Sequence, residues 1–251
     1  MTIFDFHKTG SGSFFDINNT GKTRFRRLIS SLLEAGVSFV DPTESQKETT
    51  RLSAGIVFDD AFECVYENAA PFLIDNGIPF IVFAISGYTG KRCTWDYGGG
   101  RHRHMNKEML RNLSKAGIKI GSHGKSHKRL DKMSPESQFS ELIDSKKELE
   151  DITQTAVTSV SYPFGRYNSA TTRCAAEGGY KKGFSISAVS RKGIPPEMRI
   201  PIRGVYSFHT SDDLIAMAEN SILGKINFMR NFLINRFSSG TWALKYFPET
   251  R

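Results

Sequence analysis

The stretch 55–86, GIVFDDAFECVYENAAPFLIDNGIPFIVFAIS, constrains the fold of this 251-residue chain more than any other. Ile56, Val57 and Phe58 read as a short buried strand, residues 62–76 carry apolar side chains at helical spacing, and residues 79–85 return to a β-prone run. Two carboxylates, Asp59 and Asp60, stand at the end of the first strand. Neighbouring carboxylates beside apolar surface resist ionising together, and a bound cation is the simplest compensation. A plainer role for Asp60 is to cap the helix that follows.

The same alternation runs along most of the chain. Ile3, Phe4 and Phe6 belong to a short strand that leaves His7 at its end, and Thr9 to Gly21 has loop composition. Phe25, Leu28, Ile29, Leu32 and Leu33 predict a helix ending before Gly36, with a strand over 37–40. A helix from Asn106 carries Met109, Leu110 and Leu113 inward and stops at Gly117, before a strand over 118–120. Ser134-Pro135-Glu136 opens a helix through Phe139, Leu142, Ile143 and Leu149; a strand over 157–162, a helix over 169–177 and a strand by 186 follow. A strand over 202–208 and helices over 211–223 and 225–236 complete the reading. Repeated β and α elements imply a mainly parallel sheet, open or closed as a barrel. No internal repeat or low-complexity linker divides the chain, so a single domain over 1–251 is expected.

His123 and His127 stand four residues apart, close enough for both imidazoles to reach one ion. With Asp60 they make a two-histidine, one-carboxylate set, which leaves coordination positions open for water and substrate, as a catalytic site requires. All three candidates follow strands of the α/β pattern, where such folds place their active sites. The long loop GYTGKRCTWDYGGGRHRHMN offers Trp95, Asp96, His102 and His104, which are either functional or part of an exposed insertion.

Val57-Phe58-Asp59-Asp60, the run Ala116 to His127 ending in His123-Gly124-Lys125-Ser126-His127, and Ser161-Tyr162-Pro163-Phe164-Gly165-Arg166-Tyr167-Asn168 together resemble the NodB-like polysaccharide deacetylases of carbohydrate esterase family 4. The resemblance is close over about 54–186 and looser over the first strand and helix. It implies a distorted (β/α) barrel of NodB-homology type with about seven strands, fewer than the eight of a full barrel. It also implies metal-dependent hydrolysis of an N-acyl group, acetyl or formyl, on an amino sugar. By that likeness Asp60, His123 and His127 hold one divalent ion, zinc first, with cobalt, nickel and manganese also compatible. Asp59 is the general base, and Tyr162, Pro163 and Phe164 line the substrate and oxyanion side.

This chain also departs from the family pattern. Ser161 stands where many members carry an Arg that orients the base, and the late Leu-x-His motif of the catalytic acid is not evident. His209 is the sole histidine after His127, which makes it the candidate acid, and Arg203 is the candidate partner of the base. These departures support a second reading, a sugar-binding relative that keeps the metal site and has lost turnover.

A formal charge of +8 suits a polyanion, an anionic membrane surface or a phosphorylated substrate. With no run of five basic residues and no Cys/His finger spacing, nucleic acid is not expected as a partner. Three well-separated cysteines, Cys64, Cys93 and Cys174, argue against a disulfide framework and for a reducing compartment. No apolar run reaches the ~18 residues of a membrane span, and no secretion signal is read at the N-terminus. The expectation is a cytoplasmic protein, compatible with peripheral contact at the inner membrane face. It would act on a nucleotide- or lipid-linked amino sugar destined for a surface glycan such as O-antigen.

Overall fold

The computed structural model describes residues 1–11, 16–44, 52–95, 102–186, 193–219 and 221. β1 (Thr2–Phe6) is followed by α1 (Lys22–Glu34), whose buried Phe25, Leu28, Ile29 and Leu32 fall on one stripe. β2 (Ser38–Phe39) and β3 (Ser53–Phe58) come next. The single helix expected over 62–76 is instead two, α2 (Glu63–Asn68) and α3 (Ala70–Asp75). Pro71 lies in the first turn of α3 and has no N–H to return to the preceding turn, so the break falls there.

After β4 (Phe80–Ala84), α4 (Lys107–Lys115) is capped by the Asn106 side chain, and β5 (Lys119–Ser122) leads to the histidine motif. α5 (Pro135–Thr153) begins at the expected Ser134 cap with proline in its first turn. β6 (Ser159–Ser161), α6 (Ser169–Glu177), β7 (Lys182–Ser185), β8 (Ile200–Pro201), β9 (Arg203–Gly204) and α7 (Ser211–Ala218) follow. The helix expected over 225–236 lies outside the described residues.

Among the described residues the named strands pair in parallel, in the order β8-β7-β6-β5-β4-β3-β1-β9, with β2 beside β3. The two outermost strands, β8 and β9, are consecutive in the chain. Between them the Ile202 N–H donates to the Ser185 carbonyl (3.1 Å), and just after β9 the Val205 N–H donates to the Asp5 carbonyl (2.8 Å). The chain thus crosses from one sheet edge to the other within a few residues and nearly closes a barrel flanked by helices. The strand expected over 202–208 is corrected accordingly. Its backbone must serve β7 first and β1 next, so it forms two-residue strands and then turns at Tyr206–His209.

Alternation along the strands sorts side chains into two layers. Ile3, Val57, Ile81, Phe83, Phe184 and Ile202 fill the barrel, whereas Phe4, Phe6, Phe25 and Phe58 belong to the larger cluster between strands and helices. Gly121 makes room for the inner layer, since a Cβ there would sit 2.4 Å from the Phe83 ring. The register pairs Asp5 with Val57. Asp5 and, two residues beyond Val57, Asp59 therefore continue the inner face toward the C-terminal mouth of the barrel.

Candidate active site

Past β3 the chain turns through Asp60 (φ 69°) and Ala61 (φ 50°), both in the left-handed region. His127 (φ 54°) and Phe164 (φ 58°) share that conformation, and the remaining such non-glycine residue among those described, Gln154, ends α5. Each costs about 1–3 kcal/mol and persists only where its surroundings over-determine it. The concentration of strain at this mouth marks it as a built site.

The Nε2 atoms of His123 and His127 lie 3.7 and 3.5 Å from Asp60 Oδ1. His123 Nδ1 is 2.8 Å from the Ser161 carbonyl, which can only accept, so Nδ1 carries the hydrogen and Nε2 presents its lone pair. Burial holds His123 below its ordinary pKa, with Asp60 opposing, and so keeps it neutral as a ligand must be. One donor atom from each of Asp60, His123 and His127 lies within 4.8 Å of the others. Ligands at ~2.05 Å around a tetrahedral zinc stand ~3.3 Å apart, so this donor set fits one divalent ion with little adjustment.

The loop that carries the two histidines is pinned from α5. Glu141, itself buried, accepts from the N–H groups of Lys125 (3.0 Å) and Ser126 and from the Ser126 hydroxyl (2.9 Å). His104, also buried, donates from Nδ1 to the Asp60 carbonyl (2.7 Å) and so fixes the strained turn from the other side. The Trp95 ring stacks on His127 at 4.7 Å, and the Phe164 ring approaches it at 4.6 Å. His102 is 3.3 Å from Asp16, which raises its pKa to about 9, and Asp16 in turn holds the buried Lys8 (2.7 Å). Asp96 lies outside the described residues.

Asp59 faces the same space. Its Oδ2 accepts from the Ser161 hydroxyl (2.9 Å) and lies 3.9 Å from His123 Nε2, while its buried Oδ1 has no hydrogen-bond partner. Burial pushes the carboxyl up to about 7, and the Ser161 bond pulls it partly back. Asp59 thus receives its side-chain hydrogen bond from Ser161, where Arg203 was the expected partner.

His7 was legible only as a strand-end residue, yet it joins this site. With Asp5 and Asp59 it forms a second group whose donor atoms lie within 4.8 Å of one another, its Nδ1 being 3.7 Å from Asp5 Oδ2. Burial, then His123 and Lys8, lowers His7 to about 3, whereas burial and the charges of Asp59 and Asp60 raise Asp5 well above a normal carboxylate.

The other expected residues are distributed differently. Tyr162 is buried, donates its hydroxyl to the Met198 carbonyl (3.2 Å) and stacks on Tyr167, so it supports the floor beneath Pro163 and Phe164. His209 is fully buried in the turn after β9. Its Nδ1 accepts from the Tyr206 N–H (2.9 Å), its carbonyl accepts from Arg24, and its ring packs on Tyr206 and Phe208. It is not among the residues gathered at Asp60. Arg203 pairs with Phe4 in the sheet and so shares the helix-facing side, where its guanidinium donates to the Met217 carbonyl (3.3 Å). Neither residue is brought to Asp59.

The fold and site define a class: a parallel barrel whose mouth gathers an Asp-His-His donor set that could hold a metal ion, beside a second, buried carboxylate. The chain belongs to the polysaccharide deacetylase family, whose model matches residues 46–183, more than half of its length. It is 28% identical over 217 residues to the Bacillus subtilis (strain 168) protein named "Putative polysaccharide deacetylase YxkH", covering 83% of this chain and 70% of that one. It is 29% identical over 145 residues to the poly-beta-1,6-N-acetyl-D-glucosamine N-deacetylase of Staphylococcus aureus (strain MSSA476), covering 53% of this chain and 48% of the relative. The solved structure of Streptococcus pyogenes deacetylase PplD in complex with acetate shares the fold, with a TM-score of 0.70 at 19% identity over 86% of this chain and 96% of that one.

Proposed function

We propose that the chain hydrolyses the N-acetyl group of an amino sugar with the help of one divalent ion held by Asp60, His123 and His127. The observation that carries this reading is the convergence of those three donors beside a buried carboxylate oxygen, Asp59 Oδ1, that no protein group engages. A divalent ion in that position supplies Lewis-acid polarisation of the amide carbonyl and acidification of a water molecule. Asp59 takes the proton of the attacking water through Oδ1, while the Ser161 hydroxyl fixes Oδ2. The backbone N–H of Phe164, which sits in a left-handed turn (φ 58°) beside His127, is the donor assigned to the developing oxyanion. The departing amine receives its proton from His7, whose Nδ1 lies 3.7 Å from Asp5 Oδ2. In this reading His7 takes the role expected of His209, and Ser161 that expected of Arg203.

The stacked Trp95 and His127 rings, with Phe164 beside them, provide an aromatic wall suited to the apolar face of a pyranose. A β-1,6-linked N-acetylglucosamine oligomer is the first substrate to test, because a relative named for that activity is 29% identical to this chain over 145 residues. The net charge of +8 favours a second reading, in which the amino sugar is attached to a nucleotide or a lipid phosphate as a surface-glycan precursor. Acetate release from the neutral oligomer, a nucleotide-linked and an undecaprenyl-phosphate-linked N-acetyl sugar separates the two. The first reading expects the oligomer to be preferred. Release from none of them, with one metal ion bound, would support a sugar-binding relative without turnover.

A further inference from the structure

Beside the Asp60 set lies a second group of donors that a hydrolase using one ion leaves without a countercharge. Asp5 is fully buried in the barrel, and neither of its carboxylate oxygens has a hydrogen-bond partner. The backbone N–H of Asp59, which faces it, is already engaged by the Phe6 carbonyl (3.1 Å). Asp59 Oδ1 is likewise buried and unpartnered. The Asp59 backbone N–H opposes the rise of the Asp5 carboxyl, but Asp5 Oδ1 and Oδ2 and Asp59 Oδ1 are buried with no side-chain partner, which costs on the order of 1–3 kcal/mol per unsatisfied group and more for a charged one. His7 borders these oxygens, and its ring keeps 19% side-chain exposure, which leaves a route for entry from solvent.

We infer that Asp5, His7 and Asp59 form a second, weaker divalent-cation site, and that an ion bound there inhibits the enzyme. Oxygen and imidazole donors within 4.8 Å of one another suit zinc as well as the Asp60 set does. Two carboxylates and a neutral imidazole balance the charge of one divalent ion. The site is inhibitory by composition, because it occupies the oxygen of Asp59 that takes a proton from water and the ring of His7 that delivers one to the amine. It rests on the roles proposed above for Asp59 and His7, but its occupancy can be measured without them.

Chelator-treated full-length protein is titrated with zinc alone, following bound metal by equilibrium dialysis and acetate release in parallel. The expectation is two equivalents, the first restoring hydrolysis and the second suppressing it at least tenfold. Asp5→Asn should bind a single equivalent, and Asp60→Ala should lose the tighter ion while keeping the weaker. If Asp5→Asn does not fold, judged by circular dichroism, His7→Gln replaces it with the same expectation of one equivalent. A wild type that takes up only one equivalent at excess zinc overturns the inference, as does a folded Asp5→Asn or His7→Gln that still binds two. Failure of the underlying reading looks different, because there the first equivalent would be absent or insensitive to Asp60→Ala.

Discussion

Ser161→Ala isolates the tuning of the proposed base. The substitution removes the donor 2.9 Å from Asp59 Oδ2 but leaves the backbone carbonyl that orients His123. Burial already holds the Asp59 carboxyl up to about 7, and the Ser161 bond is what opposes that rise. A buried hydrogen bond to a charged group contributes roughly 1.5–3 kcal/mol, and one pKa unit corresponds to about 1.36 kcal/mol. Its loss should therefore raise the pKa of the base by about 1–2 units. The base works only when deprotonated, so activity falls tenfold for each unit of pH below its pKa. On the acid limb of the kcat/KM profile the variant should then be roughly 10- to 100-fold slower than wild type, with the gap closing as pH rises past the raised pKa. A cation bound beside Asp59 moves both profiles to lower pH and preserves their separation. The assay is acetate release from an N-acetylglucosamine oligomer across pH, with metal content checked at each end. An unshifted acid limb, or a uniform loss at all pH values, would refute the argument that Ser161 stabilises the ionised base.

Other variants address the remaining groups. His7→Ala should lower kcat by on the order of 10²–10⁴-fold, as removal of a positioned proton donor does, whereas His209→Ala should retain kcat within about tenfold, its effect falling on stability through the Tyr206–Phe208 turn; rate and thermal midpoint measured together separate the two. Glu141→Gln disturbs a buried acceptor of three bonds that shapes the histidine loop, and should weaken metal affinity about 10–100-fold as loss of an outer support does, measured by competition with a chelating dye.

Several parts of this arrangement were legible because they depend on local pattern. Phe25, Leu28, Ile29 and Leu32 mark α1 by spacing alone, and Ser134-Pro135 and Asn168 mark the starts of α5 and α6 by capping chemistry. Asp59, Asp60 and His123 stood out because each follows closely on a strand and carries donor chemistry, and His127 because it stands four residues from His123. His7 was not, although Ile3, Asp5 and His7 share one strand face. Nothing local tells that β1 pairs with β3 in a register that brings His7 past Phe6 and beside Asp59. His209 and Arg203 drew attention as the late histidine and arginine of the chain, but their surroundings are set by how the chain crosses from β8 to β9. That crossing depends on barrel closure, a non-local event invisible to periodicity. The role of Ser161 was missed for a related reason, because a short hydroxyl reaches Asp59 only when β6 and β3 face the same interior.

The most direct test of the central claim compares metal content and acetate release in Asp60→Ala and Asp59→Asn. The account predicts that Asp60→Ala loses the tightly bound ion and turnover together. Asp59→Asn should keep that ion and lose turnover by on the order of 10²–10⁴-fold. Full retention of the tight ion by Asp60→Ala, or near-normal turnover by Asp59→Asn, would contradict it.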